Sequence, residues 1–378
     1  MKEICAADKC TGCGVCAGVC PKSCIEMRPD AMGYIHPEIN QDVCIDCKLC
    51  AKTCPANKNI DFKEIKKCYA GWSLDLENKA SSTSGGVASV LSQYIIETGG
   101  TVYGAVGYGA GIVEHQRAAS LEDTLKFKKS KYVQSSINSN LYRQIKEDLR
   151  NKPVVLFIGT PCQTAAIRSA NANASNLICV DIICHGVPSQ QLLRDNIKMI
   201  LGEDGLKKVT YFSTRDEVGY NLTLFDGDKV LYKKPFYEDG YSYGFYYGLF
   251  HRQSCYQCQF AQPKRQTDLT IGDFWGLGST SYPHKKVSVI LVNSNIGAEL
   301  IDKCSGKLFL DERPVEEAIA GNAQLQHPSS KHKYYNLFRF MYLKFGFSKA
   351  IRYCLVEFKI KQYIFKLIHK INSKLRVI

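Results

Sequence analysis

Cys10-Thr11-Gly12-Cys13-Gly14-Val15-Cys16-Ala17-Gly18-Val19-Cys20-Pro21 and Cys44-Ile45-Asp46-Cys47-Lys48-Leu49-Cys50-Ala51-Lys52-Thr53-Cys54-Pro55 decide how this chain begins. Both stretches read C-x2-C-x2-C-x3-C-P, 34 residues apart, and together they hold eight of the 18 cysteines. Thiols three residues apart on a tight loop reach three corners of a [4Fe–4S] cube, and the fourth ligand must come from elsewhere because the chain cannot wrap the cube completely. Gly12, Gly14 and Gly18 let backbone amides approach the sulfurs, and Pro21 and Pro55 turn the chain away. Zinc also takes C-x2-C pairs, but a doubled eight-cysteine pattern with no histidine among the ligands favours iron. A disulfide scaffold does not suit a long chain whose first residues, Met1 to Cys10, show no apolar signal segment.

The repeat resembles bacterial-type ferredoxins with two cubanes. That resemblance implies that the last cysteine of each run crosses to the other cluster, so Cys10, Cys13, Cys16 and Cys54 hold one and Cys44, Cys47, Cys50 and Cys20 the other. Residues 1–58 are then an α+β ferredoxin-like N-terminal domain. It is too small to rely on a core alone, so its clusters supply much of the folding energy. Polar residues 59–66 read as a linker.

From residue 67 to about 330 the pattern changes to an α/β body with a mixed, largely parallel sheet. Tyr69–Leu74, Thr101–Val106, Val154–Ile158 and Leu177–Ile183 read as strands, the last two as short continuous apolar runs that suit burial. Val87–Thr98, Ser139–Arg150, Gln163–Ala170 and Pro188–Leu201 read as helices, the first stopped by Gly99-Gly100. Between Val209 and Tyr232, short alternating strands around Asp226-Gly227 predict an antiparallel insertion. The aromatic run Tyr237–Phe250 suits either core packing or the wall of a planar cofactor.

Four further cysteines stand where chemistry gathers. Cys162 follows Gly159-Thr160-Pro161 after a buried strand and opens a helix, whose N-terminus would lower its thiol pKa. Cys184 ends another buried strand, and Cys255 and Cys258 form a C-x2-C pair. Strand ends of a parallel sheet collect ligands, so these four form a candidate third metal site, with zinc and unrelated core thiols as alternatives. Cys5, Cys24, Cys68, Cys179, Cys304 and Cys354 read as packing residues.

Six blocks occur in order: Ser82-Thr83-Ser84-Gly85-Gly86, Lys131-Tyr132-Val133-Gln134-Ser135, Gly159-Thr160-Pro161-Cys162-Gln163, Cys184-His185-Gly186-Val187-Pro188-Ser189, the Cys255/Cys258 pair, and Asp268-Leu269-Thr270-Ile271-Gly272-Asp273-Phe274-Trp275-Gly276. Over Lys67 to Asn293 they resemble the coenzyme F420 hydrogenase/dehydrogenase beta-subunit family. The resemblance implies an FAD-containing oxidoreductase with a third [4Fe–4S] cluster on Cys162, Cys184, Cys255 and Cys258. It also implies a flavin site around Ser84, Gly85, Gly86, Lys131 and Tyr132. Gly85 and Gly86 ahead of a helix can offer amides to phosphate, and Lys131 a charge to phosphate or to the flavin ring, which makes it a catalytic candidate. No G-x-G-x-x-G or Walker A sequence is present. His185 is a candidate proton donor to flavin or substrate, the alternatives being a hydrogen bond to a cluster sulfur or a loop brace. Asp273 suits the flavin ribityl chain or a backbone turn.

Residues 331–378 carry 12 Lys/Arg against one acid, Glu357, which is +11 of the chain's +13 and leaves +2 for the rest. Ile351, Leu355, Phe358, Ile364, Ile368, Ile371, Leu375 and Ile378 recur there at helical spacing between lysines. This C-terminal amphipathic helical tail reads as a peripheral contact with anionic lipid or as a helix docked on the body. No nucleic-acid motif accompanies the charge. With no run of 18 apolar residues, the expected place is the cytoplasm of a prokaryote, with peripheral membrane contact through the tail. The expected function is electron transfer between a two-electron donor or acceptor, coenzyme F420-like or a pathway substrate, and a redox partner through FAD and [4Fe–4S] clusters. The alternatives are a reductase in polysaccharide biosynthesis at the membrane surface and a flavin-free electron-transfer subunit.

Overall fold

The computed structural model describes residues 3–216, 219–278, 282 and 286–356. The N-terminal unit holds two short helices, α1 (Val15–Gly18) and α2 (Leu49–Thr53), each starting inside a cysteine run, and an antiparallel hairpin of β1 (Ile25–Pro29) and β2 (Ile35–Ile39).

The body begins with β3 (Lys67–Ser73), α3 (Leu76–Ser81) and α4 (Val87–Glu97). Next come β4 (Thr101–Tyr108), β5 (Ile112–Ala118), α5 (Leu121–Leu125), α6 (Ser139–Asn151), β6 (Val155–Gly159), α7 (Pro161–Ala170), β7 (Leu177–Ile182) and α8 (Gln190–Lys208). α6 forms because the Asn138 side chain accepts from the Leu141 amide, and its apolar positions Leu141, Tyr142 and Ile145 share a buried face. α7 starts on a Thr160/Gln163 capping box with Pro161 in its first turn. The expected insertion is a three-stranded antiparallel sheet of β8 (Tyr211–Ser213), β9 (Asn221–Asp226) and β10 (Lys229–Pro235). The chain then runs through α9 (Gly240–Tyr246), β11 (Leu269–Asp273), β12 (Ser288–Val292), α10 (Asn295–Cys304), β13 (Leu308–Glu312), α11 (Val315–Gly321) and α12 (Tyr335–Cys354).

The main sheet has the order β13-β3-β12-β11-β7-β6-β4-β5. Its centre, β4-β6-β7-β11, is parallel, as the buried apolar runs predict. The flanks correct the expectation of a largely parallel sheet: among the described strands, β5–β4, β11–β12, β12–β3 and β3–β13 are antiparallel, four of the seven junctions. β4 and β5 are joined by a tight turn at Gly109–Gly111, too short for a crossover. Parallel β6 and β7 end beside β11, which brings Gly159, Asp181 and Thr270 to one sheet edge.

The N-terminal unit is packed onto the body. Met32 and Tyr34 are buried in the same cluster as Leu192, Leu193, Phe250 and Phe338. The Tyr142 hydroxyl donates to the Cys13 carbonyl at 2.9 Å, Ser169 Oγ to the Thr53 carbonyl at 2.7 Å, and Gln134 Nε2 to the Thr11 carbonyl at 3.1 Å. A Cβ at Gly18 would stand 2.4 Å from the Tyr142 ring, so glycine here serves interdomain packing. The segment read as a linker is tied as well, with Lys63 and Arg265 paired through both backbone amides.

The first part of the tail is a docked helix. In α12, Phe338, Phe347, Ala350 and Ile351, with Leu355 beyond it, are buried against Tyr241, Leu249 and Phe250. Leu337, Phe340, Leu343 and Phe345 stay exposed. The expected stripe from Phe358 to Ile378 lies outside the described residues. No described helix is long and apolar enough to cross a membrane.

Candidate active site and cluster thiols

Cys10, Cys13, Cys16 and Cys54 come together: Cys13 and Cys16 each lie within electrostatic reach of Cys10 and Cys54. Burial pushes the Cys13 thiol up to about 12. Cys20, Cys44, Cys47 and Cys50 line one small cavity at the outer end of the unit, where Cys47 is exposed. These are the two groupings that the crossed assignment expects. Each pocket also holds a fifth thiol that sequence reading leaves to packing. Cys24 Sγ is 3.4 Å from Cys20 Sγ. Cys5 lies against Cys10 and Cys54, and its thiol proton shared toward Cys10 lowers the Cys10 pKa. Both lie within five residues of the first run, Cys24 after Cys20 and Cys5 before Cys10, but outside the C-x2-C-x2-C-x3-C spacing that marks the ligands.

In the body, Cys162 in the first turn of α7, Cys184 just past β7, Cys255 in a 3-10 turn and Cys258 just after it stand within electrostatic reach of one another. Burial raises all four thiols, Cys255 to about 12 and Cys258 to about 11. At Cys162 desolvation therefore outweighs the helix N-terminus, against the expectation of a lowered pKa. Among the described residues no three His, Cys, Asp or Glu side chains close on the single point that one ion requires. Four half-buried thiols without histidine suit a soft, multi-iron centre, and such a centre would take them as thiolates. The donor sets of all three groups fit [4Fe–4S] clusters.

A cavity of about 370 Å³ opens beside the body thiols. Ser82, Thr83, Ser84 and Gly86 form one end, with the start of α4. Gly86 takes φ 81° at the N-cap of α4, and no side chain caps that helix, so its first amides face the cavity region without a side-chain acceptor. Tyr132, stacked on Phe245 at 4.8 Å, forms an aromatic wall with Tyr220, Tyr246 and Trp275. Thr160 and His185, next to Cys162 and Cys184, line the cavity as well. Uncapped amides, hydroxyls and flat aromatic walls fit a dinucleotide with a planar ring system.

Several expected residues have partners of their own. The Gly85 amide donates to Ser288 Oγ at 2.9 Å, and Ser84 Oγ bonds the same hydroxyl at 2.9 Å. Gly85 thus braces the loop, and the amides left for a phosphate belong to α4. The Lys131 ammonium is caged by four carbonyls, Ala105 at 3.0 Å, Phe127 at 2.9 Å, Lys128 at 2.8 Å and Lys129 at 3.2 Å. It lines the cavity as a loop brace, unlike the free charge expected from sequence. Burial pulls its pKa down to about 7. Asp273 is paired with Arg215, whose guanidinium lies 5.1 Å over the Tyr220 ring. Burial lowers the His185 pKa, and the nearby Asp273 charge opposes that shift.

Sequence reading missed Arg215, His115 and Arg252. His115 lines the cavity with Nδ1 on Ser135 Oγ at 2.8 Å and Nε2 on the Ile158 carbonyl at 3.0 Å, and burial lowers its pKa to about 4. None of the three stands in a local motif.

The fold and site define an iron–sulfur protein with two thiol groups in its front unit and a third beside the body cavity. Residues 9–58 match the family model for a 4Fe-4S dicluster domain. Residues 154–318 match the model for the C-terminal part of the coenzyme F420 hydrogenase/dehydrogenase beta subunit, and this part of the chain belongs to that family, with the dicluster domain ahead of it. A chain of the xenon-derivatised F420-reducing [NiFe] hydrogenase complex from Methanosarcina barkeri is similar at 19% identity, over 76% of this chain and 91% of its own, with a TM-score of 0.49. No curated protein matches the chain.

Proposed function

We propose that this chain is an FAD-containing iron–sulfur oxidoreductase that links a two-electron substrate to a one-electron partner through three [4Fe–4S] clusters. The observation that carries the reading is the adjacency of the large cavity to the four body thiols, through Thr160 and His185. Bound FAD would exchange electron pairs with the substrate and single electrons with the clusters. The α4 amides and the hydroxyls of Ser82, Thr83 and Ser84 would hold its phosphates. The aromatic wall would orient the ring system and exclude water. His185, its pKa lowered by desolvation with the Asp273 charge opposing, lines the cavity and is the group we assign to move a proton there. Cys162, Cys184, Cys255 and Cys258 would hold the inner cluster, and the two ferredoxin-like groups would lead outward to the exposed Cys47.

Anaerobic reconstitution tests this. The parent should hold about 12 iron atoms and about one FAD per chain, and Cys184→Ser about 8 iron atoms. Zinc in place of iron would refute the reading, and clusters without FAD would leave a flavin-free electron-transfer subunit. A second reading, a reductase of a polysaccharide precursor working at a cytoplasmic membrane surface, is favoured by α12. There the exposed Leu337, Phe340, Leu343 and Phe345 lie among Arg339, Lys344 and Lys349, a combination that suits anionic lipid.

A further inference from the structure

Arg252 is the largest fully buried side chain of the described structure. Its backbone joins the two loops that carry body thiols: its amide donates to the Val187 carbonyl at 2.8 Å, and its carbonyl accepts from the Cys255 amide at 2.9 Å. Its side chain points the other way, into the N-terminal unit. Nε donates to the Cys10 carbonyl at 2.6 Å and Nη2 to the Ile35 carbonyl at 2.7 Å. Nη1 reaches Gln134 Oε1 at 3.2 Å, and Nη2 stands 3.5 Å from Cys10 Sγ and 3.4 Å from His36 Nε2. No carboxylate among the described residues pairs with it. The guanidinium is therefore a buried positive charge balanced only by neutral acceptors and by the Cys10 thiol. Its field also reaches Cys162 and Cys255.

An isolated buried cation is costly, and burial is tolerated where an anion repays it. Cys10, Cys13, Cys16 and Cys54 with a cubane would supply that anion. A reduced cluster carries one more negative charge than its oxidised form. A fixed cation in a dry site, with an N–H aimed at a ligand sulfur, favours the reduced form. Among the described residues no guanidinium hydrogen-bonds Cys20, Cys44, Cys47 or Cys50.

We propose that Arg252 is a positioning residue that raises the reduction potential of the cluster on Cys10, Cys13, Cys16 and Cys54. It would thereby make that cluster the acceptor for electrons leaving the cluster that the body thiols would hold. The inference rests on the iron–sulfur reading of those four cysteines.

The test is a redox titration of the reconstituted full chain, followed by electron paramagnetic resonance, with dithionite supplying one electron per cluster. Arg252→Gln should make one cluster about tenfold harder to reduce, a fall of about 59 mV in its midpoint, with the other midpoints unmoved. Arg252→Lys keeps the charge and loses the fork, so its fall should be smaller. A merely structural arginine would lower iron content and leave the midpoints of retained clusters in place. Unmoved midpoints at full iron content overturn the proposal. Where Arg252→Gln does not hold its iron, Arg252→Lys decides alone, and an unmoved midpoint again overturns it. A colourless, resonance-silent parent would overturn the iron–sulfur reading itself, whereas a coloured parent with unmoved midpoints overturns only the role of Arg252.

Discussion

Replacing Arg265 by methionine should destabilise the fold severely and loosen the inner cluster site. Arg265 and Asp181 form an ion pair at 2.6 Å with side chains 3% and 1% exposed. Burial pushes the Asp181 carboxyl up, and the guanidinium opposes that shift. Arg265 also donates to Thr270 Oγ1 at 3.1 Å and to the Phe260 carbonyl at 3.0 Å, so it ties the segment after Cys258 to the strand that leads to Cys184. Two charges roughly 4 Å apart at an effective dielectric constant of about 20 attract by ~4 kcal/mol. Losing one partner of a buried pair typically costs 3–5 kcal/mol, roughly the same. Each orphaned acceptor adds ~1 kcal/mol. Arg265→Met should therefore lose ~5 kcal/mol at pH 7, read as the drop in thermal midpoint under anaerobic conditions, and should lose iron from the inner site first. The pH dependence has a definite sign. Without Arg265 the folded-state pKa of Asp181 rises further above its unfolded value, so the folded form binds the extra proton between the two. Stability then falls as pH rises through that window, and the gap to the parent narrows in acid. Adding Asp181→Leu should recover most of the loss, because a buried pair can be replaced by apolar residues at little cost. A single variant as stable as the parent at pH 7, or a double variant no better than the single, would refute the reasoning.

His115 and His251 are buried with pKa values lowered to about 4, so in acid the unfolded chain takes up protons that the folded chain refuses. Stability should fall between pH 6.5 and about 4, by up to ~3 kcal/mol per imidazole, and His115→Gln should flatten that limb by about half in thermal midpoints measured at pH 7 and pH 5. On the α12 face, Phe340→Ser with Leu343→Ser should weaken sedimentation with phosphatidylglycerol vesicles while leaving iron content unchanged. Equal sedimentation with and without the two substitutions would remove this face from the lipid reading.

How much of the molecule was legible in its sequence depended on the range of each signal. The cysteine runs could be read because a cubane's ligands are set by loop spacing within a dozen residues, and the helices over Val87–Glu97 and Ser139–Asn151 because caps and apolar periodicity are local. The parallel centre followed from its short buried apolar runs. The antiparallel flanks did not, since a sheet edge is chosen by where a strand returns, and Ser288–Val292 and Leu308–Glu312 return long after their partner β3. In the site, the family blocks brought Ser84, Lys131, His185 and Asp273 into view, and all four line one cavity. What those side chains face was outside the reach of any motif. Lys131 sits in a cage of carbonyls, Gly85 on Ser288, and Asp273 on Arg215.

The sequence by itself determined the chemistry of the front unit, because eight thiols at fixed short spacings leave few alternatives to paired cubanes. The sequence also grouped Cys162, Cys184, Cys255 and Cys258 as candidates, but the tertiary structure alone decided that a cavity lies beside them and that Arg252 reaches across to Cys10. Residues some 240 positions apart become neighbours only when parallel strands align their ends and two units pack together, and that free energy belongs to the whole core and to no local stretch.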